Sequence, residues 1–311
     1  MSGKDISEKI LFAYNDVFAD IVNGLLFDGK QIVLADDLSE QAPRTAYKAD
    51  GRIREVERDV AKRWVKKNMR IACLGIENQT EPDPDMVLRV YGYDGAEYRS
   101  QLLMENRDKP RYPVVTLVLY FGYTKHWTKP VYLFDAVPVP EIIKPYLSNI
   151  KINVFEIAFL PREKLNHFHS DFKIVVDYFI QMRKNGEYIP SPESLCHVEA
   201  VLQLLSIMTD DTRFEDVLNQ KDFIQEGGIH NMNEWLDRVE AASKAEGMAK
   251  GMAKGMAKGM AKGEIIGAIK LYRDEMHLMP VEITGKIMER FCLEREEAEK
   301  YIAEVLGLQP A

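Results

Sequence analysis

In the stretch IACLGIENQT, residues 71–80, six small or apolar residues run without a break before Glu77, Asn78 and Gln79 arrive together. Read as a β-strand, side chains two apart share a face, so Glu77 and Gln79 project together while Asn78 points the other way. The preceding stretch EVERDVAKRW, taken as the neighbouring strand of a β-meander, brings Asp59 beside Glu77. Two carboxylates in one desolvated spot repel each other, and a divalent cation relieves that repulsion. Magnesium takes one or two carboxylates and fills its remaining positions with water and substrate phosphate. Such an ion polarises a phosphodiester and activates a water for attack. E-x-Q alone is a common spacing, however, and Glu77 is equally open to capping its strand or pairing with Arg63 or Lys66.

A basic run adjoins these acids. Lys62, Arg63, Lys66, Lys67 and Arg70 put five cations into the ten residues AKRWVKKNMR, and Arg107, Lys109 and Arg111 form a second cluster. Such patches on an acidic chain suit either a DNA-facing cleft or a solvated turn. Asp16 is a third acid, on the first predicted helix, but the helical wheel turns it away from the apolar face and into solvent. His167, His169 and Asp171 in HFHSDF alternate as metal ligands can, although the ordinary reading is a helix start with Ser170 or Asp171 near the cap. Trp127, Tyr91, Tyr93 and Tyr98 are able to stack on bases or to pack the core and its rim. Nothing matches a phosphate-binding loop, a dinucleotide-binding glycine loop or a nucleophile elbow.

The elements that must position these residues follow from periodicity. Residues 6–26 place apolar side chains at helical spacing and end in the glycine turn of FDGKQ. A strand is expected around RTAYKADG with a tight turn at Asp50-Gly51. A helix follows from about Pro84 to Leu103, and YPVVTLVLYFG, residues 112–122, is the strongest strand pattern in the chain. VYLFDAV and INVFEIAFL read as further strands. From HSDFKIVVDYFIQMRKNG onward the pattern turns helical and stays so through SLCHVEAVLQLLSIM. The expected fold class is therefore α/β, a mixed central sheet flanked by helices, with a helical C-terminal extension.

The chain has 311 residues, a net charge of −8 and 46% hydrophobic residues, a globular composition. No run approaches the roughly 20 apolar residues of a membrane span, and the N-terminus lacks the apolar core of a secretory signal. Cys73, Cys196 and Cys292 form no C-x-x-C pair, which argues against a zinc ribbon or a disulfide framework. A cytoplasmic location is expected.

Three segments are anticipated: a domain over residues 1–240, a repeat linker over 244–263 and a small helical tail over 264–311. The linker contains four perfect copies of Gly-Met-Ala-Lys. Each copy advances about 400° around an α-helix, so the methionines drift by about 40° per repeat. Each glycine costs a helix about 1 kcal/mol relative to alanine. The repeat is either a partly helical tether or a glycine-seamed helix–helix contact. Pro280 sits at a plausible helix start within the tail.

An acid in one strand followed by E-x-K or E-x-Q closing a hydrophobic strand, after an N-terminal helix, resembles the PD-(D/E)XK nuclease superfamily. More narrowly, NDVFADIVNGLLFDG, ERDVAKRW, GIENQT, RVYGYDGAEYRSQL, YPVVTLVLYFG with the following HW, and SDF resemble the Rpn family of recombination-promoting nucleases and putative transposases. The resemblance spans about residues 6–210 and implies a restriction-endonuclease-like fold. It also implies Mg²⁺- or Mn²⁺-dependent hydrolysis of DNA, in recombination, transposition-like rearrangement or defence. By the family pattern Asp59 and Glu77 are the metal ligands, and Gln79 replaces the superfamily's lysine. A neutral amide orients water or phosphate but brings neither a cation nor a base. Lys62 is then a candidate for the missing positive charge, and the basic run 62–70 for gripping the DNA backbone. The alternative is an inactive nuclease fold that binds DNA or self-associates through the C-terminal repeat and helices.

Overall fold

YPVVTLVLYFG forms the strand about which the rest is arranged. It is rich in β-branched and aromatic residues, and Leu117, Val118, Leu119 and Tyr120 within it are wholly buried. In the computed structural model the described residues are 11–40, 44–49, 52–57, 59–66, 69–103, 108–209, 211–218 and 230–307. The first strands are β1 (Leu38–Glu40), β2 (Arg44–Ala49), β3 (Arg52–Glu57), β4 (Val60–Lys66) and β5 (Met69–Gln79); β6 (Val114–Tyr120) and β7 (Asn153–Glu156) follow. The sheet runs in the order β1-β4-β5-β6-β7, and β2 and β3 form a separate hairpin. β1, β4 and β5 are antiparallel neighbours. β5, β6 and β7 are parallel. The expected mixed sheet with flanking helices is what the chain forms.

EVERDVAKRW, expected as one strand, divides: residues 55–57 end β3 in the separate hairpin, and only from Val60 onward does β4 form the expected meander with β5, Val60 opposite Ile76. β2 and β3 pair with Ala49 opposite Arg52, while the expected turn at residues 50 and 51 lies outside the described residues. Parallel neighbours need a crossover, and helix α2 (Met86–Ser100) makes the one from β5 to β6. Met86, Val87 and Val90 pack on Val118. Thr116 Oγ1 donates to Asp94 at 2.7 Å and the Tyr112 hydroxyl to Glu97 at 2.7 Å, which fixes α2 over the sheet.

The opposite face carries α1 (Asn15–Leu26). The helix expected over 6–26 is interrupted: residues 11–13 and 15–26 are helical with a bend at Tyr14, and residues 1–10 lie outside the described set. At its end Asp28 and Gly29 adopt positive φ, as the FDGKQ turn requires.

VYLFDAV does not become a strand. Tyr132 makes one isolated bridge to Lys151, and Leu133–Ala136 closes as a single helical turn, α3. The Leu133 and Phe134 amides are taken by the Ile150 carbonyl and Asn149 Oδ1, both at 2.9 Å, and Pro138 and Pro140 beyond it have no amide to offer a ladder. INVFEIAFL is a strand only over β7 before a 3₁₀ turn at Ile157–Phe159. The helical stretch after HSDF is likewise interrupted: α4 (Phe172–Asn185) stops at Gly186, with φ of 68°, and α5 (Val198–Met208) begins only after a proline-bearing loop.

α6 (Thr212–Leu218) precedes α7 (Met232–Asp274), a helix of 43 residues that includes the whole repeat. The chain divides into two compact units, Met1–Arg238 and Val239–Ala311. The second has its own core, in which Ile265 and Ile269 of α7 meet Ile283 and Ile287 of α8 (Pro280–Phe291) and Ile302 of α9 (Arg295–Leu306). Pro280 opens α8, where the Glu282 carboxylate accepts the Met279 amide at 2.9 Å. Among the described residues no helix is long and apolar enough to cross a membrane.

Candidate functional site

β5 carries Glu77 to the carboxyl end of three parallel strands, the edge at which open α/β sheets present ligands. Register aligns Glu77 with Val118 on β6, and Gln79 with Tyr120 and then Glu156 across β6 and β7. Val118 lies under α2, so Glu77 and Gln79 face that helix and Asn78 faces the α1 side. Glu77 is completely buried. Its Oε2 accepts from Arg89 Nη2 at 3.1 Å, and Arg89 Nη1 donates to Asp83 Oδ2 at 2.8 Å. Gln79 is half-buried, and its carbonyl accepts the Phe121 amide at 2.8 Å.

Asp59 stands one residue before β4, where continuing the antiparallel register places it opposite Glu77. Its Oδ2 accepts the Asn78 amide at 2.7 Å, which anchors it to the end of β5. Tyr93 on α2 senses both acids. Burial, and next the charge of Glu77, push its hydroxyl above the ordinary value; Arg89 pulls it back, and Asp59 adds to the rise. Arg89 Nε donates to the Tyr93 oxygen at 3.2 Å. Burial works against the Arg89 charge, but hydrogen bonds to Asp83 and Tyr93 and the charge of Glu77 hold the guanidinium above its usual range. Asp59, Glu77, Arg89 and Tyr93 are therefore one electrostatic cluster.

Arg89 was not among the residues singled out from sequence. It follows Glu77 by twelve positions, on another element, and only the crossover geometry joins the two. The one available signal was its place in RVYGYDGAEYRSQL, a segment quoted for the resemblance.

The basic run does not act as a unit. Lys62 is opposite Leu74 in register, three residues and hence one face away from Glu77. It is 2% exposed, and its ammonium donates to the Ala13 carbonyl and to Asn15 Oδ1, both at 2.6 Å. Asn15 Nδ2 in turn reaches the Leu38 carbonyl at 3.1 Å, so Lys62 clasps α1 to the sheet. The expectation that Lys62 grips DNA or replaces the missing lysine is corrected by this placement. Arg63 is half-buried on the Glu77 face and Lys66 is exposed at the strand end. Lys67 and the side chain of Arg70 lie outside the described residues.

Burial holds the Lys62 pKa below its ordinary 10.5, with the charge of Glu40 pulling it partly back. Below 10.5 the unfolded chain thus binds more protons than the folded one, and stability rises as pH climbs through that interval toward 10.5. Lys62→Met is expected to remove this rise and to lower stability near neutral pH by about 1–3 kcal/mol, since the Ala13 carbonyl loses its donor. Urea unfolding at neutral and alkaline pH checks both effects; an unchanged alkaline slope would contradict the assignment.

HFHSDF is a structural clasp. Asp20 accepts from the His169 and Ser170 amides and from Ser170 Oγ. Asp171, at the start of α4, accepts the Cys196 and His197 amides. Asp16 is half-exposed as expected, 3.0 Å from His197 Nε2. Asp16, Asp20, His169, Ser170, Asp171 and Cys196 line a cleft of about 340 Å³ on the α1 side. Tyr91 and Tyr98 are exposed, Tyr93 is buried, and Trp127 packs edge-on to Tyr120 at 5.4 Å.

Residues 65–201 match the family model described as "Putative transposase, YhgA-like". That segment is similar to this family. It opens at the end of β4 and runs into α5, so the YhgA-like segment contains Glu77, Gln79, Arg89 and Tyr93 and begins six residues after Asp59. No curated protein and no solved structure matches the chain. The YhgA-like family belongs to the Rpn and PD-(D/E)XK group that the sequence resembles.

Among the described residues no group of three or more His, Cys, Asp and Glu side chains is arranged to hold a metal ion.

Proposed function

We propose that the YhgA-like chain hydrolyses DNA phosphodiesters with Mg²⁺ or Mn²⁺ at Asp59 and Glu77. One observation carries this reading. Asp59, just before β4, accepts the amide of Asn78, the residue after Glu77, at 2.7 Å, which sets both acids at the carboxyl end of the parallel strands. The family name supports a transposase- or nuclease-like role on DNA. A bound divalent ion would supply a polarised phosphate and a more acidic water.

The protein's own groups have separable tasks. Asp59 is held toward the site by the Asn78 amide. Gln79, uncharged at every working pH, orients a water or a phosphate oxygen without taking a proton. Arg89 brings the cation that Gln79 lacks. Its guanidinium lies between Glu77 and Asp83, and a planar fork of donors suits phosphate oxygens as well as carboxylates.

Arg89 also supports a second reading, a binding module without catalysis, because an internal cation already neutralises Glu77. Cleavage of supercoiled DNA separates the two. The expected result is nicking or linearisation with Mg²⁺ or Mn²⁺, none in EDTA, and a loss of about 10²-fold or more in Asp59→Asn. A folded wild-type protein that leaves DNA intact with both metals would reject the enzyme in favour of the binding module.

A further inference from the structure

The repeat is a continuous helix with a single sign of charge. Residues 247–263 carry Lys250, Lys254, Lys258 and Lys262 and no acidic residue, in a chain whose net charge is −8. All of these residues lie within α7 and are exposed. At 100° per residue the lysine row runs between the alanine and glycine rows, and the methionine row lies on the other side, about 160° away. The lysines therefore stand on a face of the two smallest side chains. A Cβ added at Gly251, Gly255 or Gly259 would meet nothing within 4 Å among the described residues.

The charge pattern opposes the helix that bears it. Residues four apart are neighbours on a helix, and like charges there destabilise it where Glu–Lys pairs would support it. Here Lys250, Lys254 and Lys258 are each followed four residues later by another lysine. Lys262 is relieved by Glu304 Oε1 at 2.6 Å. Lys254 and Lys258 make no ion pair with a described residue. A polyanion laid along the row relieves the repulsion. From Lys250 to Lys262 the helix advances about 18 Å, over which duplex DNA offers about ten phosphate charges.

We infer that the lysine row of the Gly-Met-Ala-Lys helix is a docking surface for the phosphate backbone of duplex DNA, independent of base sequence and separate from the Glu77 site. Each repeat unit adds one phosphate contact, so the number of copies sets the strength of the grip.

The test is binding of the full chain to a short duplex in EDTA, where cleavage plays no part, between about 50 and 200 mM salt. Each lysine that neutralises a phosphate adds about 0.9 to the slope of log affinity against log salt. Lys250→Gln, Lys254→Gln and Lys258→Gln combined should flatten the slope by about 2.7, with helicity retained by circular dichroism because glutamine is as good a helix former as lysine. Deleting one repeat unit should flatten it by about 0.9. Met252→Gln with Met256→Gln is the control and should leave the slope unchanged. Absence of DNA binding, an unchanged slope in the lysine variant, or an equal effect of the methionine variant would each overturn the inference. The last would point to self-association through the methionine face, which sedimentation would reveal. None of these outcomes bears on cleavage at Glu77.

Discussion

Glu77→Gln is expected to lower metal-dependent DNA cleavage by about 10³-fold while leaving the protein folded. Glutamine keeps the length of the side chain and an oxygen for Arg89, which donates to Glu77 Oε2 at 3.1 Å, but it removes the negative charge a divalent ion needs. The fold tolerates the change because Arg89 retains Asp83 at 2.8 Å and is itself 39% exposed. Glu77→Ala is the harsher variant, since it also opens a cavity beneath α2 and leaves the guanidinium with one carboxylate fewer. Rates of plasmid cleavage alongside thermal unfolding would distinguish loss of chemistry from loss of structure. Combining Glu77→Gln with Asp59→Asn should add little to either alone, because ligands of one ion fail as a unit. Wild-type activity in folded Glu77→Gln would remove Glu77 from the site.

The largest stability effect is expected at Asp20, far from that chemistry. This carboxylate is 4% exposed and accepts the His169 amide at 2.9 Å, the Ser170 amide at 2.8 Å and Ser170 Oγ at 2.7 Å. It ties α1 to the start of α4 across some 150 residues of chain. Asp20→Ala would strand three donors in a buried place, at a cost of about 3–5 kcal/mol. For a unit of this size that is a fall in melting temperature of roughly 10 °C. Asp20→Asn should recover part of the loss, as its one carbonyl oxygen still accepts. Cleavage per folded molecule should be unchanged at temperatures where the variant is intact. Unfolding of Asp20→Ala at the wild-type urea concentration would show that the clasp contributes little.

Ser170 and Asp171 show why a motif can be readable while its purpose is not. SDF marked a helix start, and α4 begins there. Asp171 occupies the cap position, yet its carboxylate serves the Cys196 and His197 amides on a separate loop. No local pattern announces a partner 25 residues away.

Sequence alone determined the meander of β4 and β5, the buried β6, the crossover helix and the opening of α8 at Pro280. These rest on short-range physics: side-chain alternation, β-branching, and what proline and glycine permit. The expectation that Asp59 stands beside Glu77 has the same origin, since an antiparallel register follows once both strands are recognised. Tertiary structure alone decided where the cations go. Lys62 sits in a run of five basic residues, but alternation turned it to the α1 face, where the Ala13 carbonyl and Asn15 receive it. Arg89 stood unremarked in an expected helix until α2 folded back over β5 and set it on Glu77. VYLFDAV had the composition of a strand and lost it to the Asn149 side chain and the Ile150 carbonyl, which took its amides. Periodicity encodes which face of an element is buried; the partner that face meets depends on contacts distant in sequence, which no single stretch contains.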